Sequence, residues 1–109
     1  MVFAIDFDGT LCVDKFPKIG KEIPGRIEKL KRLQEDGHKL ILWTCRQNDE
    51  HGAHLDNAVK WCADRGLVFD AVNENLPEVQ KKWGSDTRKV YCDYYIDDKG
   101  RLDTFLDWL

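Results

Sequence analysis

An α/β fold, a three-layer sandwich around a central parallel sheet, is what this sequence predicts for residues 1–109. Three observations lead there. The apolar runs Val2-Phe3-Ala4-Ile5 and Leu40-Ile41-Leu42-Trp43 have no polar alternation, which suits strands buried on both faces. The segments between such runs carry apolar residues at helical spacing. Acidic or hydroxyl side chains directly follow three of the runs, at the strand ends where parallel sheets bind their ligands.

The first strand ends in Asp6-Phe7-Asp8-Gly9-Thr10. Residues 11–22 then form a short, lysine-rich connection with Lys15, Lys18 and Lys21. Pro24 suits the first turn of a helix, Ile23, Ile27, Leu30 and Leu33 follow at helical spacing, and Gly37 is a natural stop. The second strand, Leu40 to Trp43, ends in Thr44. A second helix fits residues from about His54 to Arg65, with Leu55, Ala58, Val59 and Cys62 on one face and Gly66 after it. Leu67-Val68-Phe69 reads as a third strand, and a short helix containing Val79 and Trp83 follows a polar stretch. Tyr94-Tyr95-Ile96 is the fourth strand and ends in Asp97-Asp98. Leu102, Phe105, Leu106 and Leu109 have the spacing of a terminal amphipathic helix. Strands alternating with helices predict a parallel sheet with helices on both faces. No repeat or linker interrupts the chain, so one domain is expected over 1–109.

The balance of 17 basic and 20 acidic side chains gives a net charge of −3. Nucleic-acid binders usually show a basic excess, so charge does not indicate such a partner, although it leaves one open. The apolar runs are too short to span a bilayer, and a basic leader with a cleavage site is missing, so neither a membrane segment nor a signal peptide is expected. Cys12, Cys45, Cys62 and Cys92 lie far apart without a close pair, which argues against a zinc site or a thioredoxin-like motif. Cys62 falls on an apolar helical stripe and is expected in the core. The thiols are read as reduced and the compartment as cytoplasmic. His51 and His54 are close in sequence, but no third histidine or cysteine stands near them.

Asp6 and Asp8 stand two residues apart at the end of a buried strand, so their side chains leave extended backbone on the same side. Two anions buried together are costly unless a cation or proton compensates. In a parallel sheet, Asp6, Asp8, Thr44, Asp97 and Asp98 share one edge and can converge on one crevice. Clustered carboxylates suit a hard, oxygen-seeking cation such as Mg²⁺, and a hydroxyl with a nearby lysine suits a phosphoryl group.

With these motifs in order from residue 6 to residue 98, the chain resembles the haloacid dehalogenase-like (HAD) phosphohydrolase superfamily. Asp6-Phe7-Asp8-Gly9-Thr10 matches the family's DxDG motif followed by Thr or Val. Leu40 to Trp43 with Thr44 matches its second motif, and Tyr94 to Ile96 with Asp97-Asp98 its fourth. The third motif is a lysine upstream of the fourth: Lys89 is the choice, with Lys81 and Lys82 as rivals. The resemblance implies a Rossmann-like core and a Mg²⁺-dependent phosphomonoesterase that works through an aspartyl-phosphate. In that scheme Asp6 is the nucleophile and Asp8 the general acid and base. The metal set is the Asp6 side chain, the Asp8 backbone carbonyl and Asp97, with Asp98 a water-mediated or supporting ligand. Thr44 and Lys89 contact the phosphoryl oxygens. Gly9 and Thr10 form the turn whose N–H groups meet the phosphate. Read from their place just past Thr44, Cys45 and Arg46 are candidates to border the substrate, Cys45 as a reactive thiol or, first, as a small filler residue. Arg46 could grip a substrate anion or stand in solvent, and the loop lysines read first as solvated surface.

Members of this superfamily often carry a cap domain, but the connections at 11–22 and about 72–88 are too short to house one. A capless core with an open site is expected, with a phosphorylated substrate among nucleotides, nucleic-acid ends and other phosphate esters. The tract from Lys89 to Asp98 is similar to the end of deoxyribonucleotidases and polynucleotide phosphatase domains. The alternative is a receiver-like or regulatory module that binds Mg²⁺ and phosphate with little turnover, with Asp70 after Leu67-Val68-Phe69 as its acceptor.

Overall fold

The computed structural model describes residues 1–109. Strand β1 (Val2–Ile5) is followed by β2 (Cys12–Lys15) and β3 (Lys18–Glu22), then by helix α1 (Arg26–Glu35) and β4 (Lys39–Leu42). Two short strands, β5 (Asn48–Asp49) and β6 (Gly52–Ala53), lead into helix α2 (His54–Asp64). The chain continues through β7 (Ala71–Val72), helix α3 (Pro77–Trp83) and β8 (Tyr94–Ile96), and closes with a 3₁₀ turn over Asp103–Trp108. The central sheet has the order β7-β4-β1-β8 with every pair parallel, Ile5 lying beside both Leu42 and Ile96. All four strands therefore end along one edge. No helix is long and apolar enough to cross a membrane.

Alternation along the strands builds two cores. Phe3, Ile5, Leu40, Leu42 and Ile96 face α1 and α2, where Ile27, Leu30, Ala58 and Cys62 fill the gap and Leu106 of the 3₁₀ turn completes it. Ala4, Ile41 and Ala71 face the other way, under Leu76, Val90 and Val79 of α3. This is the layered α/β arrangement read from the sequence. Burial pushes the Cys62 thiol up to about 12, as suits a packing residue.

At four places the chain departs from the structure its sequence predicts. Residues 11–22 are not a plain connection: β2 and β3 form an antiparallel hairpin whose tip is Phe16-Pro17. Helix α1 starts after Gly25, so Pro24 stands outside its first turn. Leu67-Val68-Phe69 is not a strand. The Leu67 N–H donates to the Cys62 carbonyl, and Gly66 adopts φ 83°, so these residues close α2 instead of entering the sheet. Val68 is 68% exposed, and pairing with β4 begins only at Ala71. The tail is a 3₁₀ turn with only Leu106 buried rather than an amphipathic helix. It is fastened by Arg26, which is 5% exposed. The guanidinium donates to both carboxylate oxygens of Asp107 at 3.2 Å, to Asp103 at 3.3 Å and to the Thr10 carbonyl at 2.8 Å.

Candidate functional site

The edge formed by the strand ends opens into a crevice of about 440 Å³ lined by Asp6, Asp8, Asp14, Phe16, Thr44, Cys45, Arg46, Asp97, Asp98 and Lys99. A neighbouring depression shares Asp6, Thr44, Cys45 and Asp97 and adds Trp43 and Asn73. Asp6 follows β1, and its N–H continues the pairing by donating to the Ile96 carbonyl at 2.9 Å. Asp97 and Asp98 follow β8 on the adjacent strand. Their registered ends bring one oxygen from each of Asp6, Asp97 and Asp98 within 4.8 Å of one another.

The electrostatics follow from this crowding. Burial, followed by the charge of Asp97, pushes the Asp6 carboxyl up from 3.8 to about 7. Burial also raises Asp97, with the charge of Asp98 adding to it. No ion pair of the chain involves this trio. Three oxygen donors short of positive charge fit a hard divalent ion. The Asp8 carbonyl takes no hydrogen bond from the chain, and the Asp8 side chain is not one of the three clustered carboxylates.

Gly9 and Thr10 sit beside the trio and do not line the crevice. Gly9 has φ 86°, and a Cβ there would collide with the Asp98 carboxylate, so glycine is what lets Asp98 approach. The Thr10 hydroxyl donates to Asp6 at 3.3 Å and accepts the Asp98 N–H at 3.1 Å, tying the two loops together. The N–H groups of Gly9, Thr10 and Leu11 are all used by Cys12 and Phe7 carbonyls, so those of Gly9 and Thr10 are not free to meet a phosphate. The N–H groups of Asp8 and Cys45 make no such bonds.

Thr44 lines the crevice after β4, its N–H held by the Asn73 side chain at 2.8 Å and its hydroxyl accepting the Arg46 N–H at 3.1 Å. Cys45 is an exposed thiol at the rim. Arg46 is neither a free substrate grip nor a solvated cation. It is 2% exposed and clamps both oxygens of Asp8 at 2.8 Å. Lys89 is exposed and does not line the crevice, nor do its rivals Lys81 and Lys82; the lysine that does is Lys99. Lys15, Lys18 and Lys21 are hairpin residues outside the lining, where Asp14 and Phe16 stand instead. Asp70 is not at a strand end: its carboxylate accepts the Leu40 N–H at 2.8 Å, ahead of β7, which leaves the receiver alternative without its acceptor there.

Asn73, Asp14, Phe16 and Lys99 also belong to the site. Asn73 carried a usable signal, an asparagine just past a strand that here adopts φ 53°. Lys99 stood next to the terminal acid pair, but its N–H-to-Asp97 turn at 2.7 Å was not visible.

Fold and site together define an α/β protein with an acidic, cation-fitting crevice at the carboxyl edge of its sheet. Comparison with family models and with curated proteins finds no match. Among solved structures, a conserved protein from Bacteroides thetaiotaomicron is 36% identical, with a TM-score of 0.75, over 100% of this chain and 92% of that one. The chain belongs to the family of that conserved protein.

Proposed function

We propose that this chain is a divalent-cation-dependent phosphomonoesterase of the HAD type, with Asp6 as nucleophile. The observation that carries the reading is the meeting of Asp6, Asp97 and Asp98 oxygens within 4.8 Å beside a threonine hydroxyl and a lysine. Asp6, Asp97 and the Asp8 carbonyl would hold Mg²⁺, with Asp98 alongside. When bound, the ion supplies positive charge that offsets repulsion between the carboxylates and an anionic ester.

The chain's own residues divide the chemistry. An Asp6 oxygen bonds to phosphorus as the bond to the leaving oxygen breaks, and that oxygen takes a proton from Asp8. Water then attacks the phosphorus of the aspartyl-phosphate, gives a proton to Asp8, and frees Asp6 and inorganic phosphate. The Thr44 hydroxyl, the free N–H groups of Asp8 and Cys45, and Lys99 stabilise the phosphoryl oxygens. Residues 11–22 build only a hairpin and residues 73–93 only α3, which supports an open site for a phosphate on a bulky alcohol, nucleotides and nucleic-acid ends included. Four unpaired thiols support a reducing, cytoplasmic setting.

A screen of aryl, alkyl, sugar and nucleoside monophosphates and 3′-phosphorylated DNA, with Mg²⁺ and with excess EDTA, tests the reading. Turnover only with the divalent ion is expected. Metal binding without turnover of any ester would favour the regulatory alternative.

A further inference from the structure

The crevice contains a guanidinium that the proposed chemistry does not use, and its surroundings are unusually complete. Arg46 Nε donates to Asp8 Oδ2 and Nη2 to Asp8 Oδ1, each at 2.8 Å, a two-point grip that fixes the plane of the carboxylate as well as its position. The remaining donors go to backbone carbonyls: Pro17 and Lys18 in the hairpin at 3.3 and 3.2 Å, and His54 at the start of α2 at 3.3 Å. Phe7 from below and Phe16 from the hairpin tip each place a ring 5.1 Å from the guanidinium carbon. The backbone of Arg46 is anchored too, its N–H on the Thr44 hydroxyl and its carbonyl on the Asn73 amide at 3.2 Å. One side chain thus joins the β1 loop, the β4 loop, the hairpin and α2.

We propose that Arg46 is the positioning residue for Asp8, orienting its carboxylate for proton transfer and making that orientation depend on the seating of the β2–β3 hairpin. The inference rests on the phosphomonoesterase reading. A carboxylate on a loop can rotate about two side-chain bonds, and proton transfer needs it within hydrogen-bond reach of the leaving oxygen. Arginine's planar fork removes that freedom. A lysine in its place would keep the charge but offer a single point of contact. Phe16 lies at the crevice mouth with its ring on the guanidinium, so the alcohol part of a substrate meets the same element that Arg46 holds down.

The test compares Arg46→Lys, Asp8→Asn and the double variant on an alkyl phosphate, which needs a protonated leaving group, and on p-nitrophenyl phosphate, which does not. Arg46→Lys should lower kcat/KM, which reports the steps through departure of the leaving group and not hydrolysis of the shared intermediate, by about 10–10²-fold on the alkyl ester, part of the usual value of general acid–base help, and change kcat/KM on the nitrophenyl ester less than about threefold. The double variant should be no worse than Asp8→Asn alone, because both changes disable one function. Should Arg46→Lys lose cooperative unfolding, Phe16→Ala carries the same test. Its ring is exposed, and the change should lower kcat/KM on the alkyl ester selectively, by a smaller factor. Equal losses on both esters would overturn the inference and leave Arg46 a structural anchor; unchanged kinetics would overturn it as well. A parent with no turnover of any ester would overturn the phosphomonoesterase reading itself, and this inference with it.

Discussion

Asp6 is where the chain's charge problem is concentrated. Its carboxyl is pushed up to about 7 by burial and by Asp97, so the folded protein keeps a proton that the unfolded chain gives up near 3.8. Without a cation, stability contributed by this group therefore falls as pH rises from about 4 to about 7, and Asp97 shifts in the same direction. A bound cation removes the penalty. Thermal unfolding should consequently show a larger gain from Mg²⁺ at pH 8 than at pH 5, and equal gains would contradict the assignment of Asp6 to the ion. At the same scale, Lys99→Ala should reduce kcat/KM on an aryl phosphate by about 10–10²-fold, whereas Lys89→Ala should stay within about threefold, read by steady-state kinetics. The acids were legible in the sequence because they directly follow apolar runs, and a strand end has only one place to be. The cations were not. Arg46 and Lys99 lie on loops, and a long side chain's target depends on packing that adjacent residues do not encode.

The elements differ in how well they announce themselves. Helices α1 and α2 were readable from one-sided periodicity and from Gly37 and Gly66. The hairpin escaped because Val13, Asp14, Lys15 and Lys18 face outward, leaving no alternation to detect. Leu67-Val68-Phe69 misled because three apolar residues suit a strand equally well as a helix-closing turn, and only the Leu67 N–H bond to Cys62 separates the two. The 3₁₀ turn depends on an unforeseen clamp, so Arg26→Ala should cost about 1–3 kcal/mol in chemical denaturation, the scale of hydrogen bonds to charged groups. It should also speed amide exchange over residues 103–108. No loss of stability would mean that Leu106 alone holds the tail.

At the scale of the whole molecule, sheet order decides function. Because β1 is central, with β4 and β8 on either side and all parallel, Asp6, Thr44 and the Asp97-Asp98 pair are forced onto one edge although they span more than 90 residues of chain. An antiparallel β8 would send its acids to the far edge and dissolve the site. The placement of those ends was implicit in the alternation of buried strands and helices, while the loops that shape the rim were not. The proposal that this edge transfers a phosphoryl group to Asp6 is tested most directly in Asp8→Asn, where hydrolysis of such an intermediate should be slowed. Mixed with a ³²P-labelled aryl phosphate and Mg²⁺ and quenched in acid, this variant should carry label on the peptide containing Asp6, and none in excess EDTA or with Asp6→Asn added. Label that persists in Asp6→Asn, or release of phosphate by a parent that never labels at Asp6 in either protein, would contradict the account.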